Sequence, residues 1–299
     1  MSQFDVIIIG GSNAGLSTAL TLGRSLRSVL VIDNGLPCNA QTPHSHNFLT
    51  QDGKTPAELA ALAKADVSKY NTVEFLYDTA LKAINYEKHI EVGTEKHGTF
   101  TAKKLVLATG IKDVLPTIPG FKECWGISVV HCPFCHGYEI RSKPTALLAK
   151  GEMAMHMAGM IHHLTHNLIL LTDGEGDLNE NQLAKLKKHH IEVVNHKIDS
   201  LTHTAGQIEN VVFTNGDEIA IEALYAKVPF TLPIGILNAL GCSLDENGFI
   251  AVDEMQKTTN PNVFACGDNS SRLRSVAHAV ASGNKAGAVI HMELVHESF

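Results

Sequence analysis

The sequence predicts an α/β fold of two Rossmann-like units, the second inserted into the first, each with a small antiparallel β-meander. Three observations carry this. A buried strand, glycine-rich turn, helix and second strand occupy the first thirty-odd residues, and the same pattern restarts near Thr145. Breaks rich in Pro and Gly, at Pro116, Pro119 and Gly120 and again at Pro229 and Pro233, bracket the restart. Duplication of a βαβ-plus-meander unit specifies the fold more strongly than either copy alone.

Residues 4–9 are an apolar, β-branched run, as in a parallel strand buried on both faces. Residues 14–27 carry apolar side chains at helical spacing, and 29–32 form a second buried strand ending at Asp33. Thr55 reads as the N-cap and Pro56 as the first residue of a helix running to about Tyr70. Residues 72–101 alternate as short antiparallel strands with turns at Tyr86-Glu87-Lys88 and Lys96-His97-Gly98, and 105–108 are another buried strand. In the second unit 145–149, 168–172 and 191–195 read as strands, 153–166 and 179–190 as helices, and Gly151 as the first turn. Residues 198–221 read as a meander turning at Asn215-Gly216. The chain closes with a strand over 263–265, a loop at Gly267-Asp268 and a long helix from about Ser275. The expected domains are 1–115 with 230–299, discontinuous, and 116–229, inserted.

With 24 basic and 31 acidic side chains the net charge is −7. No Lys/Arg cluster offers a phosphate-neutralising face, which argues against nucleic-acid binding. No apolar run approaches the roughly 20 residues that span a bilayer, and the N-terminus reads as lacking a secretory leader. The expected location is therefore cytoplasmic, where six cysteines are not expected to build a disulfide framework. Cys38, Cys124, Cys242 and Cys266 are scattered, whereas Cys132 and Cys135 sit close together.

Gly10-Gly11-Ser12-Asn13-Ala14-Gly15 falls between a buried strand and a helix. The G-x-G-x-x-G fingerprint uses its glycines for a tight turn, for approach of backbone to pyrophosphate and for helix–strand packing. Here Ser12 replaces the middle glycine, but free N–H groups at the helix start still suit a diphosphate. Asp33 ends the next strand, where a carboxylate can accept ribose hydroxyls. A βαβ turn without a ligand is the bland alternative. Leu107-Ala108-Thr109-Gly110 and Val263-Phe264-Ala265-Cys266-Gly267-Asp268, far downstream, resemble the two other FAD contacts of flavoproteins with two dinucleotide-binding domains.

Cys132 and Cys135 lie in His131-Cys132-Pro133-Phe134-Cys135-His136-Gly137-Tyr138-Glu139. Two thiols three residues apart can close a disulfide whose free energy sets a redox potential, and a nearby His⁺ lowers a thiol pKa. Three other readings compete. Cys-X-X-Cys-His is also the c-type haem attachment pattern, but export and a compact helical fold normally accompany it. Structural zinc would need His131 and His136 as further ligands in an awkward local geometry. Two inert buried thiols are the plainest alternative. A redox-active dithiol is preferred.

The order of FAD fingerprint, Ala-Thr-Gly, Cys-X-X-Cys within an inserted domain and Gly-Asp near the C-terminus resembles low-molecular-weight thioredoxin reductase, over essentially the whole chain. That family comprises FAD-dependent pyridine nucleotide-disulfide oxidoreductases of class II. The resemblance implies FAD contacts from Gly10, Ser12, Asn13, Ala14, Gly15, Asp33, Asn47, Thr109, Gly110, Gly267, Asp268, Ser275, Val276 and Ala277. It also implies that 1–115 with 230–299 binds FAD and that 116–229 is NAD(P)H-binding-like. Cys135 corresponds to the cysteine beside the flavin and Cys132 to the one that attacks the substrate disulfide. His136 stands where the family usually has a proton-shuttling Asp, and titrates in a range suited to that role. The Cys-X-X-Cys-His form is closer to the dithiol oxidases of gliotoxin- and holomycin-type natural products. A homodimer is the expected assembly.

The second nucleotide signature departs from the family. Ala149-Lys150-Gly151-Glu152-Met153-Ala154 lacks the first Gly, and Thr172-Asp173-Gly174-Glu175-Gly176-Asp177 is acidic where arginines would hold the 2′-phosphate of NADPH. NADPH binding is expected to be weakened or lost. Four readings stay open: reduction of a thioredoxin-like disulfide, oxidation of a dithiol with O2 as acceptor, reduction by a one-electron carrier such as ferredoxin, and a non-catalytic flavin-bound redox sensor. The partner is a thioredoxin-like protein or a small-molecule dithiol or disulfide. Among the 17 histidines, His162 and His166 (with His156 and His163 nearby) read as exposed helix residues rather than a metal site. His278, His44 and His46 are candidates for the surroundings of the flavin.

Overall fold

The computed structural model describes residues 3–299. Met1 and Ser2, which open the first expected domain, lie outside the described residues. The chain forms two compact units. One combines the chain up to Ala40 with Phe48–Lys112 and Phe230–Phe299, and the other combines Gln41–Asn47 with Asp113–Pro229.

In the first unit, strands Val73–Tyr77, Val29–Asp33, Gln3–Ile9, Thr99–Leu107 and Val263–Ala265 lie side by side in parallel. Thr99–Leu107 is long enough to belong to two structures. Its last three residues pair with Val263–Ala265, and its first half runs antiparallel to Ile90–Thr94, which pairs in turn with Ala80–Asn85. Alternate side chains of each parallel strand serve opposite cores. Val6, Ile8, Val29, Val31 and Val106 join the core that includes helices Asn13–Arg24 and Val276–His296. Ile7, Ile9, Leu30, Ile32 and Leu107 join the core that includes Ile236, Leu237 and Leu240 of helix Ile234–Leu240. Burial on both faces is why the central stretches of these strands, such as 6–9 and 29–32, are apolar at successive positions.

Helix Pro56–Val67 begins with Pro56 and a full capping box between Thr55 and Glu58. Two expectations are corrected here. Val73–Tyr77, grouped by its alternation with antiparallel strands, is parallel to Val29–Asp33 because a helical crossover precedes it. The first helix stops at Arg24 rather than Arg27, since Leu26 turns the chain left-handed at φ +58.

In the second unit five parallel strands run in the order Glu192–Val194, Leu168–Leu171, Thr145–Leu148, Ala223–Ala226, Val129–Val130. One core joins this sheet to helices Gly151–His162 and Glu180–Lys188 through Ala154, Met157, Ile161 and Leu186. The other joins it to the meander Ile198–Thr204, Gln207–Phe213, Glu218–Ala220 through Leu201, Val211 and Phe213. Asn179 caps its helix through the amide of Gln182. The expected helix over 153–166 runs instead from Gly151 to His162. Ala223–Ala226, buried throughout, was not anticipated: no turn residue separates it from the meander. Among the described residues no helix is long and apolar enough to cross a membrane.

Candidate functional site

Residues 10–15 carry the chain from strand Gln3–Ile9 into helix Asn13–Arg24. Gly10 adopts φ +108, and a Cβ there would lie 2.2 Å from the Ala108 carbonyl oxygen, so the position requires glycine. A Cβ on Gly15 would lie 1.8 Å from the Gly10 oxygen, which is the close helix–strand approach the last glycine of the fingerprint serves. Ser12 is the N-cap, yet its hydroxyl makes no capping bond, in contrast to Thr55, Asn179 and Ser275 at their helices. The first-turn amides beside Asn13, Ala14 and Gly15 thus keep their donors for an external anion.

Gly11 donates to Asp33 Oδ1 at 3.0 Å and Gly35 to Oδ2 at 3.3 Å, which fixes the carboxylate while leaving a lone pair on each oxygen. Gly267 packs against Ala14: a Cβ on it would lie 2.9 Å from the Ala14 methyl. The next residue but one, Asn269, escaped the sequence reading although it directly follows Gly267-Asp268. It is fully buried and donates to Leu107 O at 2.8 Å and to Thr109 Oγ1 at 3.2 Å. Its Oδ1 has no partner among the described residues. An orphaned buried acceptor suits a ligand that carries hydroxyl donors.

The first unit therefore gathers Gly10, Ser12, Asn13, Ala14, Gly15, Asp33, Thr109 and Gly267 around one turn. Gly110 follows Thr109 at φ +60. Asp268 faces Arg274, with Oδ2 3.5 Å from Nε. Ser275 Oγ accepts from the His278 amide at 3.1 Å, which makes it the cap of the helix whose first residues are Val276 and Ala277. Asn47, at φ +61, ends the 41–47 segment of the second unit.

In the second unit Cys132 and Cys135 form a disulfide, with Sγ–Sγ 2.14 Å and Cα–Cα 5.3 Å. The helical turn Pro133–His136 starts directly after Cys132, and Pro133 occupies the first position, where a missing N–H is tolerated. The Cys135 N–H points at Cys132 Sγ from 3.1 Å, a donor that favours thiolate on Cys132 once the bond is reduced. His136 is half-buried. Burial pushes its imidazole below the ordinary range, Glu139 opposes that and His46 adds to it. The ring is thus a neutral base near pH 7, able to take a thiol proton.

His131 stacks on Trp125 with centroids 5.9 Å apart. Beside the turn, Pro133, Phe134, Met160, His163 and Leu164 line an open apolar groove. The other thiols have a packing role or stand apart. Burial pushes Cys124 and Cys242 up, and Cys266 up to about 12, while Cys38 is exposed. The His162 ring contacts those of His166 (4.8 Å) and His189 (5.3 Å). Among the described residues no group of three or more His, Cys, Asp or Glu is arranged to hold a metal ion.

The second glycine turn is built differently from the first. Gly151, at φ +52, donates its N–H to Gly176 O at 2.9 Å. Glu152 accepts from Gln182 Nε2 at 2.6 Å. Asp173 accepts the Ile198 amide at 2.9 Å and lies 3.6 Å from Lys197 Nζ. The Gly176 carbonyl thus meets this end of the helix, in a segment, 173–177, that carries three acidic residues.

The family profile described as pyridine nucleotide-disulphide oxidoreductase matches residues 4–283. The thioredoxin reductase tcpT of Claviceps purpurea (strain 20.1) is 32% identical, over 97% of this chain and 94% of its own. The thioredoxin reductase aclD of Aspergillus oryzae (strain ATCC 42149 / RIB 40) is 31% identical, over 98% of this chain and 97% of its own. The crystal structure of an oxidoreductase from Agrobacterium tumefaciens superposes with a TM-score of 0.93 at 36% identity, covering 99% of both chains. The chain therefore belongs to the pyridine nucleotide-disulphide oxidoreductase family, as a thioredoxin reductase-like oxidoreductase.

Proposed function

We propose that the chain is an FAD-dependent thiol–disulfide oxidoreductase whose electrons enter from a dithiol at Cys132 and Cys135 rather than from NADPH. The observation that carries this reading is the bond from Gly151 N–H to Gly176 O. It spends an amide at the start of the Gly151–His162 helix on the protein's own backbone. The neighbouring Asp173, Glu175 and Asp177 would repel a 2′-phosphate. Neither helix start has a side-chain cap, and the difference between them lies in the Gly151 bond.

In this reading residues 1–115 with 230–299 hold FAD, and 116–229 is a nucleotide-binding domain that has kept its fold and lost its ligand. Gly10, Ser12, Asn13, Ala14 and Gly15 hold the diphosphate, Asp33 the ribose, and Thr109, Gly110, Gly267 and Asp268 line the cradle with Asn269. Ser275, Val276, Ala277 and Asn47 complete the flavin contacts. FAD, when bound, supplies a two-electron acceptor for the dithiol. Cys132 exchanges with the substrate, Cys135 passes the electrons on to the flavin, and His136 carries the proton between sulfurs. The substrate is a dithiol, either a small molecule or a thioredoxin-like protein. A cytoplasmic homodimer belongs to the same reading.

Anaerobic titration of the yellow protein tests it, following the flavin band with NADPH, then NADH, then dithiothreitol. Bleaching by dithiothreitol alone, reversed by air, is the expected result and would identify O2 as a competent acceptor. Stoichiometric bleaching by NADPH would overturn the proposal.

A further inference from the structure

His136 does not act alone on its turn. The Glu139 amide donates to His136 O at 3.2 Å, and an i, i+3 spacing on one helical turn sets the two side chains on the same face. From the 41–47 segment of the same unit, His46 brings Nε2 to 3.6 Å from Glu139 Oε1. His44 lies next to His46, with ring centroids 6.3 Å apart. On the sheet side Tyr225 is buried, and its hydroxyl would lie 3.2 Å from a Cβ on Gly137. That hydroxyl has no partner among the described residues, and burial raises it, so it is a neutral neighbour. The charged and titratable groups around His136 are therefore Glu139, His46 with His44 behind it, Tyr225 and the cysteines themselves.

We propose that His46 and Glu139 are positioning residues for the thiol chemistry: the Glu139 carboxylate, paired with His46 and set on the same face of the turn as His136, decides with His46 when His136 holds a proton. This rests on the dithiol reading above. In the step it controls, His136 takes the proton of a substrate thiol. The thiolate attacks Cys132 Sγ, and the Sγ–Sγ bond breaks with its electron pair going to Cys135, which receives that proton. The second substrate thiol then attacks the substrate sulfur of the mixed disulfide. Cys132 leaves with the second proton, so the substrate disulfide forms as the enzyme disulfide becomes two thiols.

The pair acts on His136 with opposite signs, because Glu139 favours its protonated form and His46 disfavours it. A charge within about 4–6 Å of a titrating group moves its titration by about one pH unit or more. The test is a titration of His136 by NMR in the flavin-loaded protein with labelled histidine, assigned by loss of the signal in His136→Asn. It is paired with the pH dependence of the rate of reduction by dithiothreitol. Glu139→Gln is expected to move the His136 titration down by about half to one pH unit, and His46→Gln to move it up. Glu139→Asp should bring it back toward the wild-type value. The rate profile should follow each shift. Two shifts in the same direction, or none in either variant, would overturn the proposal, because a merely structural pair has no reason to act with opposite signs. Failure of dithiothreitol to reduce the wild type at any pH would sink the dithiol reading instead, while the NMR titration would still decide the pair.

Discussion

Replacing Gly15 by alanine tests whether the 10–15 turn is a diphosphate cradle. The new Cβ would fall 1.8 Å from the Gly10 carbonyl oxygen and 3.2 Å from Ile8 Cγ2, whereas a carbon–oxygen contact settles at about 3.3–3.6 Å. The obstacle is backbone and cannot yield. Gly10 N–H is held by Ile32 O at 2.8 Å, and the Ala108 carbonyl presses on the other side of Gly10. The helix must move outward by about an ångström or more, carrying its uncapped amides away from their ligand. Overpacking costs about 1–3 kcal/mol, and a backbone obstacle puts Gly15→Ala at the top of that range. If FAD loses contacts of similar worth its affinity falls about 100-fold, each 1.4 kcal/mol being tenfold. The assay is the flavin-to-protein absorbance ratio after purification, followed by FAD titration of stripped protein and thermal melting. Gly15→Ala should lose most of its flavin and melt about 5 °C or more below wild type. Gly159→Ala, where a Cβ meets nothing within 4 Å, is the matched control and should be neutral or stabilising by up to about 1 kcal/mol. A Gly15→Ala protein with full flavin and a wild-type melting point would refute the reasoning.

Other outcomes follow from the same geometry. Cys132→Ser and Cys135→Ser should each abolish reduction of the flavin by dithiothreitol while leaving flavin content unchanged, as read by anaerobic spectroscopy. His136→Ala should slow that reduction about 10²–10⁴-fold at pH 7, the usual worth of a positioned proton acceptor. Burial raises the Asp78 carboxyl, but the His97 ring and the Thr79 and Lys96 amides outweigh it and hold it below the ordinary carboxylate range. Its contribution to stability is therefore present above about pH 4, the unfolded value, and is lost as pH falls toward the folded one. Asp78→Asn should flatten that part of the urea-midpoint profile between pH 5 and pH 3. Lys104 is 3% exposed and pairs with Glu293 at 3.0 Å and Glu297 at 2.7 Å. Lys104→Ala should cost toward the lower end of about 3–5 kcal/mol, because Glu297 is half-exposed and Glu293 keeps Lys257.

Much of this was legible before any coordinates, for identifiable reasons. Strands buried on both faces carry unbroken apolar runs, so 6–9 within Gln3–Ile9, 29–32 within Val29–Asp33, and Val263–Ala265 announced themselves. Thr55-Pro56 and Asn179 mark helix starts through local bonds that need no tertiary context. What stayed hidden depends on contacts distant in sequence. Nothing local distinguishes a parallel from an antiparallel partner for Val73–Tyr77. Nothing in the spacing predicts that residue 46 meets residue 139, or that Asn269 would be left with an orphaned oxygen.

The two glycine turns draw these points into one argument. A helix start in a Rossmann unit exposes amides that must be satisfied by something. At both turns the N-cap side chain makes no capping bond, Ser12 in the first unit and Lys150 in the second, and under the proposed reading a diphosphate serves the first. In the second unit the Gly176 carbonyl serves one of them, and Asp173 is tied to the Ile198 amide. Under the proposed reading the Gly151–Gly176 bond takes a donor away from a nucleotide, and the missing first glycine and the acidic run of the second signature weigh the same way.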